Sequence, residues 1–149
     1  MKTQPLKQTG KGKHGTLQAR YAHVRGVTDA MATGLSDADA TVQSMEDASP
    51  AKWHLAHVSW FFEEVILKPN DVGYTEFDEK FSFLFNSYYD AVGARQPRPK
   101  RGMLTRPSLE RVFAYRAYVD EHMDKLLAHN LRTEIRALVE QKRVPGLVL

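Results

Sequence analysis

The residue types most able to do chemistry sit together in Trp53-His54-Leu55-Ala56-His57. On a helix, histidines at i and i+3 project to neighbouring positions on one side. His57 falls on an apolar stripe formed by Trp53, Ala56, Trp60, Phe61 and Leu67, and His54 lies at its edge. Helical bundles build metal sites from inward residues of this kind, and neutral imidazole is the commonest protein ligand. The competing reading is a half-buried histidine bonded to a neighbour, the more frequent fate of such a residue. Catalytic sites mostly use at least three protein ligands. This helix supplies two histidines, with Glu64 further along the same stripe. His122 and His129 are seven residues apart, hence about 10 Å along a helix axis, too far to bind one ion together. They and His23 read as boundary or surface residues. Arg95, Arg98, Lys100, Arg101 and Arg106 form a basic, Pro-containing loop. Guanidinium forks suit carboxylate or phosphate groups, so the loop is either an anchor for such a ligand or a solvated turn. Arg116 lies on an apolar stripe and needs a partner, for which Glu64 and Asp90 are the candidates.

Other chemistries lack their residues. The 149-residue chain has no cysteine, which excludes disulfides, thiolate catalysis and Cys-ligated metal centres. There is no G-x-S-x-G, no P-loop, no G-x-G-x-x-G and no HExxH. Glu63 and Glu64 are adjacent and point to different helix faces, so they do not form an acid–base pair. The net charge of +3 comes largely from the loop above and from Lys2, Lys7, Lys11 and Lys13. No nucleic-acid recognition motif accompanies it, so nucleic acid is not the expected partner.

The elements that must position these residues follow from helical periodicity. Residues 1–14 read as a disordered basic leader. A first helix begins near Thr16 with Leu17, Tyr21, Val24 and Met31 on one face and stops at Gly34. Ser36 to Asp47 is an acidic connection. The second helix is expected to be capped by Ser49, with Pro50 in its first turn, and to end before Pro69. Residues 78–91 read as an aromatic-rich third helix or as an irregular segment, since aromatics, Asn and Ser lower helix propensity. Ser108 caps a long fourth helix carrying Leu109, Val112, Val119, Met123 and Leu127, and ending near His129. A shorter piece with Leu131, Ile135, Leu138 and Val139 on one side follows. No strand alternation is visible. The fold class is all-α: a bundle over residues 15–142, with 143–149 as a tail.

Several blocks in order resemble the N-terminal, DinB-like four-helix domain of the EgtB family of ergothioneine biosynthesis. They are Thr41-Val42-Gln43-Ser44-Met45, Asp47-Ala48-Ser49-Pro50, Lys52-Trp53-His54-Leu55-Ala56-His57, Trp60-Phe61-Phe62-Glu63, Phe83-Leu84-Phe85-Asn86-Ser87-Tyr88-Tyr89, and Pro97-Arg98-Pro99 with Arg101-Gly102, Arg106-Pro107 and Tyr115-Arg116. The resemblance implies a non-haem iron(II) enzyme. With O2 it joins hercynine to the sulfur of cysteine or γ-glutamylcysteine as a sulfoxide. It implies that His57 is one of three iron-binding histidines and that Arg95 or Arg98 holds the carboxylate of the thiol substrate. It also implies two further histidines from an H-E-x-x-H-type motif on the last bundle helix and a second, larger domain.

The similarity stops at Gln141, where the chain continues Gln141-Lys-Arg-Val-Pro-Gly. The expectation is therefore a bundle incomplete at its C-terminus, truncated before the second histidine motif, inactive alone, and prone to self-association through an exposed half-core. Iron(II) is expected only where another chain completes the site. A stand-alone bundle serving as a binding or interaction module is the alternative. No apolar run is long enough to span a membrane and no signal peptide is apparent, so the expected location is the cytoplasm.

Overall fold

A computed structural model describes residues 15–87, 89–129 and 131–142, with Gln141 and Lys142 described by their backbone alone. Among them the regular elements are all helical, and one isolated bridge pairs Met45 with Ala48. Helix α1 spans Leu17–Ala32, α2 Asp37–Thr41, α3 Ala51–Phe61, α4 Lys68–Asn70, α5 Phe81–Leu84, α6 Leu109–Leu127 and α7 Thr133–Lys142. A π-helical segment, Phe62–Leu67, joins α3 to α4, and a 3-10 helix covers Arg98–Met103. The four long positions of the bundle are α1, the α3–π run, α6 and α7.

The helix starts follow capping chemistry. Thr16 accepts from the Ala19 amide at 3.1 Å, and Ser108 accepts from the Arg111 amide at 3.2 Å. Ser36 and Asp39 form a reciprocal capping box on α2, which the acidic connection did not announce. The expected cap of α3 is corrected. Pro50 occupies that position without a side-chain bond, and the Ser49 hydroxyl instead accepts from Arg101 at 2.9 Å. The π turn stands just before Pro69, which has no amide to donate and whose ring crowds the preceding turn. There the Lys68 amide bonds the Glu63 carbonyl, five residues back.

The core is one aromatic-rich cluster. Trp60, Ile66, Leu67, Val112, Tyr115, Val119 and Met123 are fully enclosed. Each Val- or Leu-sized side chain in it stabilises the fold by about 1.5–3 kcal/mol. Two buried arginines cross-link the helices. Arg25 bonds Asp120 at 2.7 Å and the Ser59 hydroxyl at 2.5 Å. Arg116 bonds Asp29 at 2.6 Å and the Leu55 carbonyl at 2.9 Å. Its partner is thus Asp29 on α1, neither Glu64 nor Asp90. Glu64 pairs with Lys68, and Asp90 with Arg95.

The shorter piece expected after α6 is the helix α7. Helix α7 fills the fourth position: Val139 is fully buried, Ile135 is half-buried, and Glu140 pairs with Arg20 of α1 at 2.7 Å. The Ile135–Val139 stripe packs against the π segment and the core cluster. The leader (1–14) and tail (143–149) lie outside the described residues. No described helix is long and apolar enough to cross a membrane.

Candidate functional site

The site is built by α3 and the irregular stretch after α5. Trp53, His57 and Trp60 recur at spacings of four and three, so their rings line one face of α3. Each ring turns an N–H to a backbone carbonyl across the interface. Trp53 Nε1 donates to the Leu84 carbonyl at 2.9 Å, and Trp60 Nε1 to that of Ser82 at 3.1 Å. His57 Nδ1 lies 2.7 Å from the Phe85 carbonyl. A carbonyl only accepts, so this bond requires the His57 proton on Nδ1. These bonds satisfy carbonyls at the end of α5 that continued helix would have used. This explains why the predicted third helix is a single turn.

The imidazole is further fixed by stacking. Its ring lies 4.6 Å from that of Trp53 at 12° and 5.4 Å from that of Trp60 at 18°. Trp53 in turn carries the Arg101 guanidinium, 3.6 Å from its ring centre. His54 is half-buried and edge-on to Trp53 at 5.4 Å. Burial, and secondarily the charges of Arg101 and Arg98, hold His54 below the ordinary histidine pKa, which favours its neutral form.

The basic loop divides. Arg101 and Arg98 share the 3-10 helix, and both charges act on His54. The Arg98 carbonyl and the Gly102 amide are clamped by Gln43, at 2.8 and 2.7 Å. Arg95 instead forms a surface ion pair with Asp90 at 2.9 Å. The two candidate arginines therefore differ: the charge of Arg98 acts weakly on His54, and the exposed Arg95 is engaged with Asp90 at the rim.

The other histidines stand elsewhere. His122 bonds Asp71 at 3.0 Å, and the exposed His129 bonds the Lys125 carbonyl at 2.8 Å. Among the described residues, no group of three or more His, Asp or Glu side chains is placed to hold a metal ion. Glu63 is enclosed at 1% exposure and accepts from Tyr74 (2.6 Å), Tyr115 (2.5 Å) and the Phe77 amide (3.0 Å). It ties the loop after α4 to α6. Burial above all, and then the Glu63 carboxylate, push both phenols well above the ordinary tyrosine pKa.

Sequence reading missed Arg101 and Asn86 as parts of this site. Arg101 stood in a run of basic residues with nothing to set it apart. Asn86 is wholly buried, and its side chain bonds Tyr89 and Gly93. A polar residue inside an aromatic block was the available signal.

An all-α bundle with an inward Trp–His–Trp face on its second long helix is the class of protein so defined. A profile of the DinB superfamily matches residues 20–146, and the chain belongs to that superfamily. Comparison with curated proteins returned no match.

Proposed function

We propose that this bundle is the helical domain of an iron(II)- and O2-dependent enzyme of the EgtB type, in which His57 supplies one metal ligand. The observation that carries the reading is the His57 ring. Its Nδ1–H is spent on the Phe85 carbonyl, the outer-shell arrangement that metal-binding histidines use to present Nε2. The ordered blocks of resemblance from Thr41 to Arg116 supply the rest. In the same reading, Arg98, with Arg95 at the rim, takes the carboxylate of a cysteine-type thiol, hercynine is the co-substrate, and the location is cytoplasmic.

The described residues fit the metal only in part. One oriented imidazole does not hold a catalytic iron, and no second and third ligand stand with it. The reading therefore requires ligands from polypeptide beyond the described residues, in this chain or another. The chemistry such an iron supplies is activation of O2 at an open coordination position. What this chain's own residues do is narrower: they hold one imidazole in a fixed plane and tautomer, and set guanidinium charge beside it.

Cobalt(II), a paramagnetic stand-in for iron(II), tests the ligand role. Titrated anaerobically into the 15N-labelled chain, it is expected to perturb the His57 resonances before those of His23, His54, His122 and His129. His57→Ala is expected to abolish that first event. Perturbation confined to the other histidines, with His57 untouched, would overturn the reading. It would favour a metal-free binding module built on the same helical bundle.

A further inference from the structure

Arg101 is 4% exposed, although it comes from a basic loop. Three of its contacts lie against the supports of His57. The guanidinium covers the ring of Trp53, on which His57 is stacked. One nitrogen donates to the Ser49 hydroxyl at 2.9 Å, just before the start of α3. The second terminal nitrogen lies 3.4 Å from the carbonyl of Asn86, the residue following Phe85. Asn86 in turn bonds the Tyr89 amide and carbonyl, both at 3.1 Å, and the Gly93 carbonyl at 3.2 Å. The backbone that accepts the His57 N–H is therefore held from both sides, by Arg101 and by the Asn86 side chain.

We infer that Arg101 is a positioning residue for His57. By clamping the Trp53 ring and the Phe85–Asn86 backbone together, it fixes the imidazole plane and keeps the ring proton on Nδ1. A neutral imidazole in water shares its proton between two nitrogens. A ligand acting through Nε2 needs one of those forms only, and a carbonyl selects that form only while the carbonyl itself stays put. The planar fork of arginine can stack on the indole and reach both anchors at once, which a lysine ammonium cannot. The purpose of this device rests on the ligand reading of His57, but the geometric claim concerns the metal-free chain.

The test is the His57 tautomer, read from two-bond 1H–15N correlations of the full chain at a pH where the ring is neutral. The wild-type chain is expected to show the pattern of a single Nδ1–H form. Arg101→Gln is expected to replace it with the averaged pattern of two tautomers. Arg101→Lys should fall between, keeping the charge and losing the fork. Ser49→Ala removes one anchor and leaves the Trp53 contact, so a smaller shift in the same direction is expected; it serves where Arg101→Gln does not fold. His122 and His129, whose Nδ1 partners are Asp71 and the Lys125 carbonyl, should keep their wild-type patterns. The inference is overturned by a wild-type His57 that is already averaged. It is equally overturned by unchanged His57 patterns in folded variants, or by shifts shared by all three histidines, which would mark general loosening. Cobalt(II) passing His57 by would remove the ligand reading while leaving this result standing.

Discussion

Replacing Glu63 should separate a stabilising buried carboxylate from a costly one. The side chain is enclosed and accepts three hydrogen bonds, from two phenols and one amide. A buried donor left without its partner costs about 1–3 kcal/mol. Tyr74 is half-buried and can turn toward water, whereas the Tyr115 hydroxyl and the Phe77 amide have less recourse. Glu63→Ala therefore orphans at least two donors and opens a cavity, for an expected loss of roughly 3–6 kcal/mol. That is a large share of the about 5–15 kcal/mol by which domains of this size are stable. Glu63→Gln keeps the shape and one acceptor oxygen. Its amide faces Tyr115, whose hydroxyl can rotate to accept, so only the charge assistance goes, about 1–2 kcal/mol. Urea unfolding of the three proteins, with unchanged slope, reads both differences. The reasoning is refuted if Glu63→Ala lies within about 1 kcal/mol of wild type, too little for two orphaned buried donors. It is equally refuted if Glu63→Gln is more stable than wild type, because desolvating the carboxylate would then outweigh what its donors return.

The same cluster gives an alkaline limit. Tyr21, Tyr74 and Tyr115 all have raised pKa values, chiefly through burial and, for the last two, then through Glu63. A raised folded pKa gives stability that is present below the unfolded value of about 10 and lost as pH rises beyond it. Urea midpoints should therefore fall above that pH, less steeply in Tyr115→Phe, and a flat profile would contradict the assignment. Gly102→Ala would place a Cβ 2.5 Å from Gln43 Cβ and 3.0 Å from its Oε1. It should displace the Gln43 clamp at a cost of about 1–3 kcal/mol, and a thermal midpoint equal to wild type would show that the clamp yields freely. Val139→Ala should lose roughly 1–3 kcal/mol if α7 is a true fourth helix, and a change near zero in urea unfolding would mean that α7 is only loosely docked.

Much of this fold was legible in the sequence because helices announce themselves locally. The stripe on Leu109–Leu127 and its Ser108 cap, the Thr16 start, and the Ile135–Val139 face all depend on residues three or four positions apart. The segment 78–91 was ambiguous for a physical reason. Its carbonyls could go to helix or to side chains, and the choice lay with Trp53, His57 and Trp60 on another element. Ser49 read as a cap because Ser before Pro is a local cap signal, yet its hydroxyl is taken by Arg101, 52 positions away. Arg116 needed a partner on any reading of its apolar stripe, but which carboxylate it met was a matter of how α1 crosses α6.

The candidate site divides along the same line. That His57 faces inward between two tryptophans is written in the 53, 57, 60 spacing. The sequence by itself determined the helix, the face and the residue types that could bind a metal or a carboxylate. Only the tertiary structure decided which nitrogen of His57 carries the proton, that Arg101 is buried against Trp53 while Arg95 pairs with Asp90 at the rim, and that Glu63 is a hub of phenol donors. Those outcomes depend on contacts between residues far apart in the chain, and local periodicity carries no information about them.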